Sequence, residues 1–368
     1  MNMKKVLSSI MITGLLSTAL VGCGGQNAAD IGSKNEAIAA KNLTVEQIIE
    51  EAKKEGQVVS VGMPDSWANW KGTWEDINKL YGLEHTDTDM SSSEEIAKFE
   101  AEKNNPTADI GDVGWSFGPV AEEKGVTIKY KTSYWDQIPD WAKDDDGDWM
   151  LGYTGSLAIM TNKKLIKNPP KSFQDILEGD YKVSIGTAEG TQTQNTILAA
   201  AFAFGGDETN IQPGIDFFAE LAKQGRLLPN NNDLANIENG EVAVTFLWDF
   251  NALNYRDIID KDRFDVCIPM DASVRTGYTT IINKYAPHPH AAMLAREYIL
   301  SDEGQINLAI GYAKPIRSDV VLPAEIQAKL LPEEQYKSVK NIEDRKAWEE
   351  TSKTLNQLWQ EQVLVHIN

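Results

Sequence analysis

Short β-branched runs alternate with amphipathic helical patterns along this chain of 368 residues. That alternation is typical of α/β layering with largely parallel strand pairing. A capping-box pair, Thr44 and Gln47, predicts the start of a helix that ends at Gly56, and a strand follows at Gln57. The predicted strands are 58–61, 108–113, 157–161, 183–185 and 242–247, and the predicted helices are 67–80, 92–103, 191–204, 213–224 and 289–300.

The N-terminal residues have the pattern of an export signal, because Lys4 and Lys5 precede an apolar stretch that ends in small residues. A membrane span is the alternative, but the stretch is rich in Ser and Thr and shorter than the ~20 apolar residues that a span prefers. The segment Leu20-Val21-Gly22-Cys23 resembles the lipobox of bacterial lipoproteins. We therefore expect a signal peptide over 1–22, an extracytoplasmic protein anchored to the membrane by lipidated Cys23, and a flexible tether over 23–42.

Acidic residues outnumber basic ones by 55 to 35, which gives a formal net charge of −20. This charge disfavours nucleic-acid binding, because phosphate backbones recruit basic surfaces. The four histidines lack the i, i+4 spacing of a helical zinc site, and the two cysteines cannot build a disulfide scaffold. The sequence therefore predicts no catalytic or structural metal and no cofactor.

The acidic run Lys143-Asp144-Asp145-Asp146-Gly147-Asp148 invites comparison with a calcium-binding loop. Such a loop needs a glutamate six residues after its glycine, and Tyr153 occupies that position. We interpret the run as a solvated turn between Trp141 and Trp149.

Three stretches in a fixed order carry a family resemblance. They are the run from Gly147 through Leu157–Lys164 to Pro169–Leu177, the segment Ala200–Gly225, and the run from Ala291 through Ser301–Gln305 to Gly311–Arg317. Together they resemble the solute-binding lipoproteins of ABC importers, in the group of iron, polyamine, thiamine, phosphonate and sugar-phosphate receptors. The resemblance covers most of residues 43–345.

The resemblance implies a two-lobed α/β fold of the type II periplasmic-binding-protein kind, with hinge crossovers and closure around a solute. Lobe one would comprise 43–155 plus 275–345, lobe two 156–274, and a C-terminal helical segment 346–368. It implies a monomer that captures a small solute and delivers it to an ABC permease. No reaction is catalysed in such a receptor.

Ligands in open α/β sheets sit beyond the carboxyl ends of strands, where loops lead into helix N-termini. Three predicted strand ends carry an aspartate near a tryptophan, a pattern that favours an organic cation such as a polyamine or a thiamine-like molecule. The alternative is that each tryptophan packs under its loop and each aspartate caps the next helix. The expected ligand contacts are Asp65, Ser66, Trp67, Trp115, Thr154, Thr191, Trp248, Asp249 and Tyr278.

Hydroxyl-rich segments at two predicted helix starts support a different solute, a phosphonate or a sugar phosphate. Ser91-Ser92-Ser93 and Gly190-Thr191-Gln192-Thr193 could hold an anion on unpaired N–H groups, although ordinary capping explains either segment alone. Ferric iron is a weaker alternative, because iron receptors of this group commonly use adjacent tyrosines and the chain has no Tyr-Tyr pair.

An enzyme of a different class is also conceivable from the sequence. Gly114-Trp115-Ser116-Phe117-Gly118 matches the G-x-S-x-G pattern of a nucleophile elbow, and aspartates followed by His288 or His290 occur downstream. The chain lacks an upstream His-Gly-Gly oxyanion segment, so solute binding is preferred over a secreted serine hydrolase that uses Ser116. A surface adhesin would show repeats or an exposed aromatic stripe, and neither is visible.

Overall fold

The computed structural model describes residues 27–229 and 232–367. The export signal and Cys23 lie outside these described residues. The helices in chain order are α1 (Ala28–Ala39), α2 (Val45–Glu55), α3 (Trp70–Tyr81), α4 (Ser92–Ala101), α5 (Gly118–Glu123), α6 (Phe173–Glu178), α7 (Thr191–Ala203), α8 (Gln212–Lys223), α9 (Leu234–Asn239), α10 (Asp249–Ile259), α11 (Pro289–Leu300), α12 (Asp302–Ile310), α13 (Ala324–Gln327) and α14 (Arg345–Gln362). The strands are β1 (Gln57–Val61), β2 (Glu84–Thr88), β3 (Ile110–Gly114), β4 (Trp149–Asn162), β5 (Val183–Ile185), β6 (Leu227–Pro229), β7 (Val244–Trp248), β8 (Phe264–Cys267), β9 (Ser273–Ile282), β10 (Lys314–Pro315) and β11 (Val339–Asn341).

The described strands join in the order β2-β1-β3-β9-β4-β7-β5-β6, with β8 and β10 on β4 and β11 on β9. We name the half with β1, β2 and β3 lobe one and the half with β5, β6 and β7 lobe two. The two long strands β4 and β9 pair with each other and continue between the halves, since β4 pairs with β7 and β8 at its far end and β9 pairs with β3. The two-lobed α/β fold expected from the sequence is confirmed.

The expected strand pairing is only partly correct. Within each lobe the outer strands run parallel, as β1 does with β2 and β3 and β5 with β6 and β7. At the centre the pairing is antiparallel, because β9 and β4 each reverse direction relative to their neighbours. The predicted lobe boundaries fall inside β4 and β9, and β4 is longer than the predicted strand 157–161 because its first half is buried as well.

The segment before residue 43 is not a flexible tether along its whole length. Residues Ala28–Ala39 form helix α1, which packs on lobe one. The Asn35 side chain is buried and donates hydrogen bonds to the carbonyl oxygens of Lys284 and Ala286 at 3.1 and 2.9 Å. The Gly- and Ala-rich composition hid this helix, because it is held by specific contacts to distant residues rather than by a strong amphipathic pattern.

The helix predicted from residue 67 begins three residues later, at Trp70. Ala68 and Asn69 adopt a left-handed backbone, with φ of 46° and 56°, so the chain turns there instead of continuing as a helix. This turn leaves Trp67 in the loop after β1. The capping box of Thr44 and Gln47 is confirmed at the start of α2.

Helix α14 is the last α-helix of the described residues, and it packs against lobe two. The Trp359 ring lies 5.4 Å from Phe218 of α8, and Gln212 donates a side-chain hydrogen bond to Gln362. Within the described residues, no helix is both long and apolar enough to cross a membrane.

Candidate functional site

A cleft of about 220 Å³ lies where the carboxyl ends of β1 and β3 face the N-terminus of α7. Both lobes line it, because β1 and β3 belong to lobe one and α7 follows β5 of lobe two. The strand-end rule predicts this position. The lining residues are Gly62, Pro64, Trp67, Asp89, Met90, Ser91, Ser92, Ser93, Glu95, Asp112, Phe117, Glu189, Gly190, Thr191, Gln192 and Tyr278.

Trp67, Tyr278 and Phe117 supply the aromatic part of the cleft. The Trp67 ring stands nearly perpendicular to that of Tyr278, with centroids 5.4 Å apart, and to that of Phe250, at 5.5 Å. Its Nε1 donates a hydrogen bond to the Tyr153 hydroxyl at 2.9 Å. Because these contacts fix the indole, an aromatic surface is already in position for a solute.

The carboxyl groups of Asp112 and Glu95 form the inner end of the cleft, and both residues are almost completely buried. The Tyr153 hydroxyl donates to Asp112 Oδ2 at 2.8 Å, while Glu95 Oε2 accepts the backbone N–H of Asp112 at 3.0 Å. The other oxygen of Asp112, Oδ1, is buried and makes no well-formed hydrogen bond with the described residues, although the Trp70 indole N–H lies close enough to lower the pKa of Asp112. A buried carboxylate oxygen without a well-formed hydrogen bond is costly, so this atom can gain from a donor on a ligand.

Burial raises the pKa of both carboxyl groups well above their ordinary range. For Glu95 the nearby Asp112 carboxylate raises the pKa further, and for Asp112 the Tyr153 hydroxyl and the Trp70 indole N–H oppose the shift. A cation between the two groups would stabilise their ionised forms and lower both pKa values.

Two glycines make room for the Glu95 side chain. A Cβ atom at Gly111 would lie 2.6 Å from Glu95 Oε2, and one at Gly62 would collide with Oε1. Gly62 also has a φ of 71°, which residues with a side chain rarely adopt. The backbone of β1 and β3 is therefore shaped to accept a buried glutamate from α4.

The lining is negatively charged. Asp89 and Glu189 are exposed and add two further carboxylates to those of Glu95 and Asp112. No lysine, arginine or histidine is among the described lining residues. A positively charged solute is therefore favoured, because it pairs with the two exposed carboxylates and stabilises the ionised forms of Glu95 and Asp112, whose pKa values burial raises.

The N-terminus of α7 offers a second kind of binding group. Gly190 is the N-cap, and no side chain caps the helix there. Gly190, Thr191 and Gln192 all line the cleft. The first N–H groups of a helix lack intrahelical partners and carry partial positive charge, so this end can stabilise an anionic group of a solute.

The serine-rich start of α4 is already engaged within the protein. The backbone N–H and hydroxyl of Ser91 both donate to Glu94 Oε2, at 2.8 and 2.6 Å. Ser92 Oγ accepts the backbone N–H of Gly114 at 2.9 Å. Capping and loop fixation explain these hydroxyls, so α7 is the better candidate for an anion.

Of the nine ligand contacts predicted from the sequence, Trp67, Thr191 and Tyr278 lie together in the cleft lining. Asp65 and Ser66 are exposed on the loop before Trp67 and outside the lining. Trp115 and the three residues next to the crossovers, Thr154, Trp248 and Asp249, are buried outside the lining.

Both carboxylate oxygens of Asp249 accept hydrogen bonds from other parts of the protein. Its Oδ1 accepts the backbone N–H groups of Ser156 and Phe250, both at 3.0 Å, and its Oδ2 accepts the Tyr336 hydroxyl at 2.7 Å. Burial raises the pKa of Asp249, and these hydrogen bonds oppose the shift. The residue therefore joins β4, α10 and the segment before α14 at the crossover.

Trp115 also has structural partners. Its ring lies edge-on to Trp141 at 6.0 Å, and the Arg345 guanidinium stands 5.4 Å from the ring centroid. Asp112, three residues earlier in β3, lines the cleft instead. Strand-end reasoning therefore located the right segment, but the residue of that segment that lines the cleft is Asp112 and not Trp115.

Glu95 was missed by sequence reasoning, although a signal existed. It lies next to Ile96 and four residues before Phe99 on α4, and all three are buried. An acidic residue on the apolar face of a helix indicates a special environment, because buried carboxylates need partners.

Ser116 has no catalytic partner in the arrangement of the described residues. His288 Nδ1 lies 2.9 Å from Asp109 Oδ2, and His290 Nδ1 lies 2.7 Å from Glu55 Oε1. Both histidines are thus committed to pairs on lobe one near the start of α11. The nucleophile-elbow pattern spans the last residue of β3, the 3-10 turn Trp115–Phe117 and the first residue of α5, so the strand–turn–helix context is present but the catalytic partners are not.

The lobes touch each other beside the cleft. Asn254 of α10 donates to the carbonyl oxygen of Ser66 at 2.7 Å, and the Tyr312 hydroxyl donates to the Asp257 carboxylate. Ser66 and Tyr312 belong to lobe one, whereas Asn254 and Asp257 belong to lobe two. The structure is therefore a closed arrangement of the two lobes.

Sequence comparison identifies relatives of this chain. A family profile described as bacterial extracellular solute-binding protein matches residues 105–346. An uncharacterized protein of Haemophilus influenzae is 30% identical over 237 residues, which cover 58% of this chain and 64% of that protein. A Salmonella typhi protein named as a candidate 2-aminoethylphosphonate-binding periplasmic protein is 25% identical over 247 residues, covering 61% and 67%. The chain thus spans about two thirds of the length of these relatives.

Structure comparison agrees with the fold. The periplasmic binding protein AfuA from Actinobacillus pleuropneumoniae, solved with fructose-6-phosphate bound, superposes with a TM-score of 0.68 at 16% identity. The superposition covers 84% of this chain and 98% of that one. Because the family profile matches more than half of the chain and the fold is that of a two-lobed periplasmic binding protein, the chain belongs to the bacterial extracellular solute-binding proteins, which are receptors rather than enzymes.

Proposed function

We propose that this chain captures a small amine-bearing solute between its two lobes and delivers it to an ABC permease. The observation that carries the proposal is the charge of the cleft, whose described lining has carboxylates from Asp89, Glu95, Asp112 and Glu189 and no basic side chain. A polyanion such as a sugar phosphate would meet net repulsion there.

The inner carboxyl pair suits an ammonium group. An ammonium carries three N–H donors, and Asp112 Oδ1 is a buried acceptor that has no well-formed hydrogen bond among the described residues. Glu95 lies beside it, joined through the backbone N–H of Asp112 at 3.0 Å. Trp67 and Tyr278 add aromatic surface to the same cleft, which stabilises an organic cation.

The solute class can be narrowed further, to a zwitterion. The uncapped N-terminus of α7 faces the carboxyl pair across the cleft from the other lobe, and it favours an anionic group. A molecule with an ammonium at one end and a phosphonate or carboxylate at the other would contact both lobes. Only such two-sided contact stabilises the closed form relative to the open one.

The name of one relative is consistent with this class. The Salmonella typhi protein is named for 2-aminoethylphosphonate, which carries one amine and one phosphonate. Permanent attachment to the membrane through lipidated Cys23, and action as a monomer, belong to the same proposal and rest on the lipobox-like segment and on the family. Ferric iron and a non-amine sugar phosphate are the competing solutes.

A binding screen of the purified mature protein tests the proposal. Thermal shift and calorimetry would compare 2-aminoethylphosphonate, γ-aminobutyrate, putrescine, ferric citrate and fructose-6-phosphate. A solute at 100 times its Kd adds about 2.7 kcal/mol to the free energy of unfolding, which is easily measured. Zwitterions are expected to stabilise the protein most, putrescine less, and fructose-6-phosphate not at all.

Two variants test whether the carboxyl pair of Glu95 and Asp112 binds the amine, as opposed to the overall negative charge of the protein. Asp112→Asn is expected to weaken amine binding, whereas Asp136→Asn, an exposed change of the same charge outside the cleft, leaves it unchanged. If fructose-6-phosphate bound and 2-aminoethylphosphonate did not, or if Asp112→Asn tightened binding, the proposed solute class would be wrong.

A further inference from the structure

Three carboxylate side chains from two segments of lobe one converge at a position outside the cleft lining. Glu122 lies near the end of α5, and Asp144 and Asp148 lie in the acidic run that precedes β4. One ligand oxygen from each lies within 4.8 Å of the other two. Three oxygens no further than this from one another share a point at most about 2.8 Å from each, close to the Ca²⁺–oxygen bond length of 2.3–2.6 Å, so one ion can contact all three residues after a small adjustment.

Asp148 supplies an observation that is independent of the clustering. The residue is only 4% exposed, and its Oδ1 accepts the Thr127 hydroxyl at 2.6 Å. Its Oδ2 is also buried but accepts no hydrogen bond from the described residues. Lys129 Nζ lies 3.9 Å from this oxygen and donates instead to Asp146, at 2.5 Å. Lys129 is thus a distant ion-pair partner of this oxygen and not a hydrogen-bond donor to it, and a buried anionic oxygen in this position gains from a cation that binds it directly.

The other two ligands are held in position by the protein. Asp144 accepts the backbone N–H groups of Asp146 and Gly147, at 2.8 and 2.9 Å, in a tight turn. Glu122 Oε2 accepts the indole N–H of Trp149 at 3.1 Å. The carboxylates are therefore gathered by hydrogen bonds that do not depend on an ion.

The loop that carries Asp144 and Asp148 is tied to the core. The fully buried Arg296 donates to the carbonyl oxygens of Gly147 and Thr280, both at 2.9 Å. The cluster thus sits on a rigid part of lobe one, at the start of the strand that continues into lobe two. A rigid arrangement keeps the three carboxylates together despite their mutual repulsion.

We propose that Glu122, Asp144 and Asp148 form a calcium site, with water completing the coordination shell. Carboxylate oxygens are the ligands of hard cations, and Ca²⁺ tolerates the irregular geometry that Mg²⁺ does not. The sequence comparison with a calcium loop failed because it sought the final glutamate after Gly147. Here the glutamate comes from α5, upstream of the loop.

Terbium luminescence tests the site directly. Tb³⁺ replaces Ca²⁺ at oxygen sites, and Trp149, hydrogen-bonded to Glu122, is placed to sensitise its emission. We expect saturable emission at one ion per chain, displaced by Ca²⁺ and poorly by Mg²⁺, and a calcium-dependent rise in Tm. Asp148→Asn is expected to weaken Ca²⁺ binding by about tenfold or more, measured by calorimetry.

Three further variants test the calcium site. Asp145→Asn makes the same charge change in the same loop outside the cluster and is expected to leave Ca²⁺ binding unchanged. If Asp148→Asn does not fold, Glu122→Gln, which changes an exposed residue, provides the same test. Lys129→Met should tighten binding, because the ammonium near Asp148 competes with the ion. Unsaturable emission, equal displacement by Mg²⁺, or equal loss in Asp145→Asn would overturn the calcium site.

Discussion

Thr191 of lobe two lies directly against Gly114 of lobe one, so closely that a Cβ atom at Gly114 would stand 2.7 Å from Thr191 Oγ1. Gly114 has an ordinary backbone, with φ of −54°, so another residue could adopt its conformation. The glycine is therefore required by the approach of the other lobe and not by its own backbone. Its N–H donates to Ser92 Oγ at 2.9 Å, which fixes the surface that Thr191 meets.

Gly114→Ala is the first prediction. The new methyl group obstructs Thr191 only in the closed arrangement, so the variant should fold normally and remain open. Solute affinity should fall by about tenfold or more, since about 1.4 kcal/mol of lost closure energy is a factor of ten. Small-angle scattering with and without solute would measure closure, and calorimetry the affinity.

The double variant Gly114→Ala with Thr191→Gly is the control for that prediction. Removing the Thr191 side chain removes the obstruction, so the two changes together should restore part of the closure that Gly114→Ala alone abolishes. Additive losses in the double variant would mean that the contact does not limit closure.

Local sequence patterns predicted the outer parts of both lobes because neighbouring residues determine them. The capping box of Thr44 and Gln47 and the buried strand at Val183–Ile185 are examples. The antiparallel centre was not predicted, since the pairing of β4 with β9 depends on residues more than a hundred positions apart. Helix α1 was missed for the same reason, because Asn35 holds it to residues near 285.

The cleft was predicted by the rule for strand ends, and its individual lining residues only in part. Trp67, Thr191 and Tyr278 lie in it. Asp249 has the same sequence features, but both of its carboxylate oxygens accept hydrogen bonds from the protein, namely from Ser156, Phe250 and Tyr336. A strand end specifies where a side chain is. Whether it faces solvent, ligand or protein depends on segments that arrive from far away in sequence, as Tyr336 does here.

Tyr312→Phe is the second prediction, and it concerns the contact that holds the lobes together. The Tyr312 hydroxyl donates to Asp257 across the lobe boundary, and Phe removes only that bond. A hydrogen bond to a charged group contributes about 1.5–3 kcal/mol, so the solute Kd should rise by roughly tenfold to a hundredfold. Calorimetry measures Kd, and stopped-flow fluorescence measures the faster release of solute.

Tyr298→Phe is a matched control for Tyr312→Phe. The Tyr298 hydroxyl donates to Asp76 at 2.7 Å, and both residues belong to lobe one. The variant should lower Tm and leave Kd unchanged. A similar rise of Kd in both variants would show that the effect is loss of general stability.

The third prediction is that an amine solute releases protons when it binds. The pKa values of Glu95 and Asp112 are raised in the protein without solute, so these groups hold protons above the ordinary carboxyl range. An ammonium lowers both pKa values. The affinity for an amine solute should therefore increase as the pH rises towards the raised pKa values of the solute-free protein. Calorimetry in buffers of different ionisation enthalpy counts the protons, and Asp112→Asn should reduce the number. Proton uptake on binding would contradict the assignment.

Glu95→Gln, the fourth prediction, should stabilise the protein while weakening solute binding. The folded-state pKa of Glu95 lies above its unfolded value, so the folded protein binds more protons between the two, and the free energy of unfolding decreases as pH rises through this window. Glutamine is neutral, and its amide oxygen can still accept the Asp112 N–H. The free energy of unfolding of the variant should exceed that of the unmodified protein by about 1–2 kcal/mol at pH 8, a gain common when a costly functional group is removed, and by little at pH 4. Urea unfolding at both pH values measures this difference.

Glu241→Gln, an exposed change of the same kind, should have no effect at either pH. A loss of stability in Glu95→Gln at pH 8 would mean that the Glu95 carboxylate stabilises the fold, and would contradict its assignment as a solute-binding group that lowers the free energy of unfolding.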